Sequence, residues 1–237
     1  MTGNRPLRWW RIWIALSLAL TVISACAARN VKIDHDSLSA LKDGPPLKLA
    51  RQKPPGFVVS DPGNSVVDSL FGVSGGTLVT PGRSAGDAPM EEEYALDDPA
   101  VSVGDKVFEA LAFELGVQRD PSDRRVLTDD RLEAGTGAAG PDGWLLEVTT
   151  LRWGLAYDKK FWTRYHVRLE ASGRLIDLSR RRVVWQTKCD GSEEEASKGT
   201  LLADLTAADG AELRERLGAA AERCAEELVA HLFAGVR

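Results

Sequence analysis

The sequence predicts an α+β domain in which two helices pack on one face of a mostly antiparallel sheet of three to five strands. Two patterns support this prediction. Residues 144–189 alternate apolar and polar side chains, as a strand meander does, whereas two other segments repeat apolar residues at spacings of three and four, as helices do. The chain has 237 residues, enough for one domain with its own core.

The first 25 residues have the pattern of a secretory signal peptide. Arg5, Arg8 and Arg11 form a basic start without acidic residues, and residues 12–25 carry no charge. This run is shorter than the roughly 17–25 apolar residues that a membrane-spanning helix needs. Residues 1–25 are therefore predicted to be a cleaved signal.

The end of this signal, Ile23-Ser24-Ala25-Cys26, resembles the lipobox of bacterial lipoproteins. The resemblance implies cleavage before Cys26, a diacylglycerol on its sulfur and further acylation, for example with palmitate. A signal peptide that ends by chance at a cysteine is the alternative. Several acyl chains anchor a protein firmly because each buried methylene contributes about 0.8 kcal/mol. Ala27 follows the cysteine, which by the same resemblance implies the periplasmic face of the outer membrane in a Gram-negative source.

With Cys26 acylated, two cysteines remain in an oxidising compartment. Cys224 lies on the apolar stripe of the last predicted helix, and Cys189 ends a strand with the same parity as Trp185. A helix laid over that face of the sheet can bring the two sulfurs together, so the sequence predicts a Cys189–Cys224 disulfide. Two free, buried thiols are the alternative.

Residues 26–55 are polar and contain two Pro-Pro pairs, so they predict a tether between the lipid and the domain. A short helix over 34–41 is also predicted there. The single domain then occupies residues 56–237 and begins with a strand at 56–60. Residues 61–98 are predicted to be a glycine-rich insertion, of a length typical of functional or disordered segments.

Two long helices are predicted within the domain. The first begins at Asp97-Asp98-Pro99, because aspartate caps free amides and proline suits the first turn, and it ends at Gly116. The second runs from Asp209 to about Phe233. The predicted core stripes are Val103, Val107, Leu111 and Leu115 in the first helix, and Leu213, Leu217, Ala220, Cys224, Leu228 and Leu232 in the second.

The sheet is predicted mainly from the segment between these helices. A minor strand covers 125–128, and the meander follows with strands at 144–153, 165–178 and 183–189. The alternation of side chains shifts near Thr149, which predicts a β-bulge.

Catalytic patterns are weak in this sequence. It has three histidines, no His or Cys pair spaced for a metal and no nucleophile elbow, so we expect no catalytic residues, no metal and no cofactor. The glycine motif at 135–140 precedes a strand rather than a helix, unlike a dinucleotide site. The acidic loop at 190–195 favours a solvated surface over a weak cation site. A net charge of −5 gives no general attraction to nucleic acid.

The segment Leu175–Leu178 through Val184-Trp185, followed by Cys189 and Cys224, resembles small proteobacterial envelope lipoproteins of poorly known function. The order of elements over residues 56–234 is similar to the TolB amino-terminal fold. This resemblance implies a protein-binding or assembly module in the envelope that has no enzymatic activity. The expected partners are the membrane, through the lipid, and an unidentified envelope protein.

The candidate contact regions are the insertion and the end of an aromatic hairpin. The hairpin aromatics surround a charged turn, which favours an exposed contact surface, and packing beneath the sheet edge is the alternative. These residues are Trp153, Tyr157, Phe161 and Trp162.

Two other functions stay open at this point. An envelope hydrolase would need Ser74 or His166 in a concave pocket beside an acid. A structural lipoprotein could instead self-associate through an unpaired edge strand.

Overall fold

The computed structural model describes residues 30–60, 89–127, 142–161, 163–194 and 198–234. Within these ranges the chain forms an α+β domain of four helices and seven strands. The helices are α1 (His35–Lys42), α2 (Met90–Glu93), α3 (Pro99–Leu115) and α4 (Leu202–Phe233). The strands are β1 (Leu47–Gln52), β2 (Val58–Val59), β3 (Arg119–Leu127), β4 (Trp144–Tyr157), β5 (Arg164–Asp177), β6 (Arg182–Asp190) and β7 (Thr200–Leu201).

The seven described strands form one mixed sheet. Its main path runs β3-β1-β4-β5-β6, with β2 beside β4 and β7 beside β5. Strand β1 is parallel to both β3 and β4, whereas β4, β5 and β6 form the predicted antiparallel meander. The predictions of a mostly antiparallel sheet of three to five strands and of two helices are therefore wrong.

Strand β1 also shows that the prediction of a tether at 26–55 is wrong for residues 30–52. Leu47 and Leu49 of β1 are buried in the centre of the sheet, but Lys48 and Arg51 gave this six-residue strand a polar appearance. The two Pro-Pro pairs flank β1, so they mark its ends rather than a linker. The short helix predicted at 34–41 is confirmed as α1, where the Asp34 carboxylate accepts the Ser37 N–H at 2.7 Å.

The first long helix is confirmed at both ends. At the start of α3, Asp98 Oδ1 accepts the Ala100 N–H at 3.0 Å and the Thr150 hydroxyl at 2.6 Å. At its end Gly116 adopts φ 72°, a left-handed conformation that glycine tolerates. The predicted core stripe is buried at Val103, Val107 and Leu111.

In the meander, β4 and β6 are longer than predicted, whereas β5 has the predicted length. The register of β4 against β5 shifts between Thr150 and Arg152, where the sequence predicted a bulge. Gly173 of β5 makes room for a neighbour, because a Cβ there would lie 2.8 Å from the Trp185 ring. The indole of Trp185 is therefore packed tightly between the sheet and α4 and is 1% exposed.

Helices α3 and α4 cover the same face of the sheet. The backbone of α4 leaves helical geometry at 207–210, so the start predicted at Asp209 falls in this break. Lys106 of α3 pairs with Glu222 of α4 at 2.7 Å, and residues 110–114 lie opposite residues 226–234. The residue numbers rise together, so the two helices run in the same direction. The predicted stripe of α4, from Leu213 to Leu232, is buried.

The other face of the sheet holds a smaller core. Leu145, Ile176 and Leu178 are each no more than 1% exposed there. Beside them, Arg174 donates two hydrogen bonds to the buried Glu147 carboxylate, at 2.8 and 3.0 Å. This charged pair is satisfied by bidentate geometry, the strongest form of such a contact.

Candidate protein-binding groove

Several sequence-predicted site residues lie outside the described residues. They are Cys26, Ser74 and Trp162, together with residues 61–88 of the insertion. The lipidation of Cys26 therefore stays a prediction. Residues 89–98 of the predicted insertion instead belong to the domain, since Met90 and Leu96 are buried. Among the described helices none is long and apolar enough to cross a membrane.

A disulfide joins Cys189 of β6 to Cys224 of α4, with their Cα atoms 5.1 Å apart. Both cysteines are buried in the main core. The chain also approaches α4 closely just after β6, because a Cβ on Gly191 would lie 2.0 Å from the Ala220 carbonyl oxygen. Arg223 donates to the Gly191 carbonyl at 2.7 Å. These contacts fix α4 against the last strand of the meander.

Trp153 belongs to the core, so the prediction that it contacts a partner is wrong. Its side chain is 2% exposed, and its indole N–H donates to the Pro55 carbonyl at 2.7 Å. The ring also meets Phe57 edge to face, with centroids 5.1 Å apart. The register shift in β4 places Trp153 opposite the buried Leu169, on the face that the helices cover.

The other hairpin aromatics differ in exposure. Tyr157 is half-buried and packs against the main core. Phe161 is 51% exposed. Of the hairpin aromatics that the structure describes, Phe161 alone is exposed, so this region offers less apolar surface than the sequence predicted.

A buried ionic cluster lies at the base of this hairpin. His166 Nε2 is 3.3 Å from Asp158 Oδ2, and His166 Nδ1 is 3.9 Å from Glu193 Oε2. Asp158 also accepts the N–H groups of Lys160 and Phe161 at 2.7 and 3.2 Å. The Lys160 hydrogen bond is the largest cause that holds the pKa of Asp158 below its usual range.

The same cluster ties the hairpin to α4. Glu193 accepts the Val167 N–H at 2.9 Å, and its other oxygen pairs with Arg216 of α4 at 2.9 Å. His166 is 3% exposed, and its ring lies between the Asp158 and Glu193 carboxylates. We assign this cluster a structural role. Among the described residues, no group of three or more His, Cys, Asp or Glu side chains could hold a metal ion.

The accessible site that sequence reasoning missed is the groove between α3 and α4. Its apolar end lies where both helices finish and encloses about 480 Å³. Phe113 in this end is 87% exposed, more than any other large apolar side chain in the described part of the chain. The lining includes Ala110, Phe113, Glu114, Glu226, Val229 and Phe233.

The opposite end of the groove is polar and encloses about 720 Å³. Asp98, Asp105 and Arg214 line it, and the Lys106–Glu222 ion pair lies between the two ends. Groove residues such as Gly218 leave open space, because a Cβ there would meet no atom within 4 Å. The groove therefore offers charge at one end and apolar surface at the other.

Negative charge surrounds the apolar end. Glu114 and Glu226 lie in its walls. Because α3 and α4 both finish there, the partial negative charges of two helix C-termini add to these carboxylates. An apolar side chain with Lys or Arg residues beside it would fit this end, since the apolar part covers Phe113 and the cations face the carboxylates.

A sequence signal for this groove exists but is faint. Ala110 and Phe113 lie beside the predicted core stripe of α3 rather than on it. Val229 and Phe233 do the same in α4. A second apolar row next to the core row, present in both helices, indicates a surface that the first row leaves uncovered.

No known protein family and no curated protein matches the chain. Similar solved structures include the PelC dodecamer from Paraburkholderia phytofirmans, at 13% identity over 80% of this chain and 92% of that chain, with a TM-score of 0.33. Protein XCC0632 from Xanthomonas campestris, of family DUF330, is 15% identical over 79% and 85%, with a TM-score of 0.35. Lipoprotein GNA1162 from Neisseria meningitidis is 17% identical over 65% and 88%, with a TM-score of 0.25. Similarity at this level says nothing about activity or partners.

Proposed function

We propose that this protein is a lipid-anchored envelope protein that binds another envelope protein through the apolar end of the α3–α4 groove. The lipobox at Ile23–Cys26 supports the anchor, and Ala27 supports the periplasmic face of the outer membrane. The TolB-like order of elements stays a prediction within this proposal. The observation that carries the binding role is the 87% exposure of Phe113.

The exposure of Phe113 leaves a large gain for any partner that covers it. Full burial of a phenylalanine side chain contributes about 1.5–3 kcal/mol. Such aromatic residues, centred in a pocket, commonly dominate the energy of an interface. Val229 and Phe233 extend the apolar surface on the opposite wall.

The shape and charge of the groove favour an amphipathic segment, such as a helix that places one apolar face between α3 and α4. Glu114 and Glu226 favour Lys or Arg at the margins of that segment. This role requires binding alone, so we propose no catalytic step.

The test begins in cells with a photo-crosslinking amino acid in place of Glu109, at the margin of the groove. Crosslinked protein is identified by mass spectrometry and then purified. Its affinity is measured for the wild type and for Phe113→Ala. We expect Phe113→Ala to weaken binding by about tenfold or more, as the loss of a central aromatic anchor does.

Phe161→Ala is the matched control, because it removes an exposed aromatic from the hairpin instead of the groove. It should leave the affinity unchanged. Equal affinity of the wild type and Phe113→Ala would contradict the proposal. So would a wild type that dimerises in analytical ultracentrifugation while Phe113→Lys is monomeric, because the groove would then bind a second copy.

A further inference from the structure

The described chain begins firmly attached to the outer side of β6. The Val31 N–H donates to the Gln186 carbonyl at 2.8 Å, and the Gln186 N–H donates to the Val31 carbonyl at 3.0 Å. Two residues later, Ile33 is 4% exposed in the main core. The folded domain therefore starts no later than residue 31, within the segment that the sequence predicted to be a tether.

This attachment sets a short limit on the distance to the proposed lipid. Cys26 lies five positions before Val31, and five fully extended residue steps span at most about 18 Å. A domain of about 200 residues has a radius of gyration of about 17 Å, so it is about 40 Å across. The segment from Cys26 to Val31 is thus shorter than the domain is wide. With Cys26 acylated, the side of the domain that carries Val31 therefore lies nearest the bilayer.

The same side of the domain is basic, although the whole chain is acidic. Residues 30–34 and 177–190 contain five cationic and three acidic side chains, in a protein whose net charge is −5. Arg180 and Arg182 pair with Asp177 and Asp34 at 3.2 and 3.7 Å. All five cationic side chains are exposed, namely Lys32, Arg180, Arg181, Arg182 and Lys188.

We propose that this basic edge, formed by residues 30–34 and 177–190, rests on the anionic phospholipid headgroups of the membrane that holds Cys26. The proposal rests on the acylation proposed above and adds an orientation to it. Each Lys or Arg near an anionic surface contributes about 1 kcal/mol of attraction. The β3 edge, at the opposite side of the sheet, then faces away from the bilayer.

Lysine labelling tests this orientation in the acylated protein. The protein is placed in vesicles of phosphatidylethanolamine and phosphatidylglycerol, or in neutral detergent micelles, and is treated with an amine reagent that does not cross membranes. We expect Lys32 and Lys188 to react about fivefold more slowly in the vesicles, the factor that corresponds to about 1 kcal/mol.

Lys160 and Lys198 are the internal controls, because both are exposed and lie far from Val31. Gln186 pairs with Arg174, and Arg164 lies ten residues further along β5, which is about 33 Å at 3.3 Å per residue. Lys160 and Lys198 flank that distant end and should react at the same rate in vesicles and micelles. Protection of these two residues instead of Lys32 and Lys188 would overturn the proposal.

Two further comparisons isolate the headgroup contact. Protection of Lys188 should fall in vesicles of phosphatidylcholine alone, and it should fall in the Arg180→Glu/Arg181→Glu variant but not in Lys160→Glu/Lys198→Glu. Equal protection in all of these would overturn the role of anionic headgroups. The intact mass of the mature protein distinguishes the two proposals: a bare Cys26 contradicts the anchor, whereas an acylated Cys26 with unprotected Lys32 contradicts the orientation alone.

Discussion

Trp153 and Phe113 are both large aromatic side chains near the ends of their elements, yet they serve different purposes. Trp153 is 2% exposed, donates a hydrogen bond to Pro55 and packs against Phe57. Phe113 is 87% exposed and lies in a groove with acidic walls. The first is covered by its own chain, whereas the second leaves its apolar surface available. An aromatic residue therefore indicates a binding site only where the fold leaves it uncovered.

The largest effect on stability is expected at Trp153. Trp153→Ala should lower the free energy of unfolding by about 3–5 kcal/mol, because it empties a core site and leaves the Pro55 carbonyl without its donor. Urea denaturation followed by circular dichroism measures this. A change of no more than about 0.5 kcal/mol, the usual range for a surface substitution, would show that Trp153 is not a core residue and would remove its contrast with Phe113.

The second largest effect is expected on removal of the disulfide, which holds α4, one wall of the groove, against β6. Replacing both Cys189 and Cys224 by Ser should cost about 3–4 kcal/mol, since the crosslink closes a 35-residue loop. The double variant keeps neither partner of the disulfide as an unpaired thiol, and alkylation of the unfolded wild type provides the control. Two alkylated cysteines in the wild type without reductant would show that the crosslink is not formed.

A substitution at Asp158 tests the buried cluster of Asp158, His166 and Glu193 at the base of the hairpin. Its folded pKa lies below the ordinary value of 3.8, so its contribution to stability is complete above that pH and is lost as the pH falls through the folded pKa. Asp158→Asn should therefore destabilise the protein at pH 7, and its stability should approach that of the wild type only as the pH falls through the folded pKa of Asp158, below 3.8. The other carboxylates titrate in both proteins, so their effect cancels when the two free energies of unfolding are subtracted. A difference that stays constant with pH would contradict the cluster.

The smallest effect on stability is expected at Phe113. Phe113→Ala should change the free energy of unfolding by no more than about 0.5 kcal/mol, the usual range for a surface substitution. The same variant should weaken partner binding, so its effect on affinity is expected without a matching effect on stability. A loss of several kcal/mol would mean that Phe113 supports the fold.

Local patterns predicted the elements whose periodicity is strong and long. The two core stripes, the caps of α3 at Asp98 and Gly116, and the meander all follow from spacing and residue type. Strand β1 was missed because six residues with Lys48 and Arg51 show no clear alternation. Its place in the sheet depends on parallel pairing with β3 and β4, which are distant in the sequence. The insertion prediction was wrong at residues 89–98 for the same reason, since Met90 and Leu96 find their core contacts only in the folded domain.

The sequence by itself determined the features that a few neighbouring residues specify. They are the signal pattern before Cys26, the helices α1 and α3, the part of α4 after Asp209, the meander and the side of α4 that carries Cys224. The tertiary structure alone decided which apolar side chains stay uncovered. Local pattern does not decide whether Phe113 or Trp153 is covered, because their exposure depends on what the remote segments at 226–234 and 55–57 place beside them. The tertiary structure also decided which edge of the sheet carries Val31, through its pairing with Gln186. Hydrogen bonds between segments so distant in the sequence leave no periodic pattern in either segment, so the sequence could not predict this pairing.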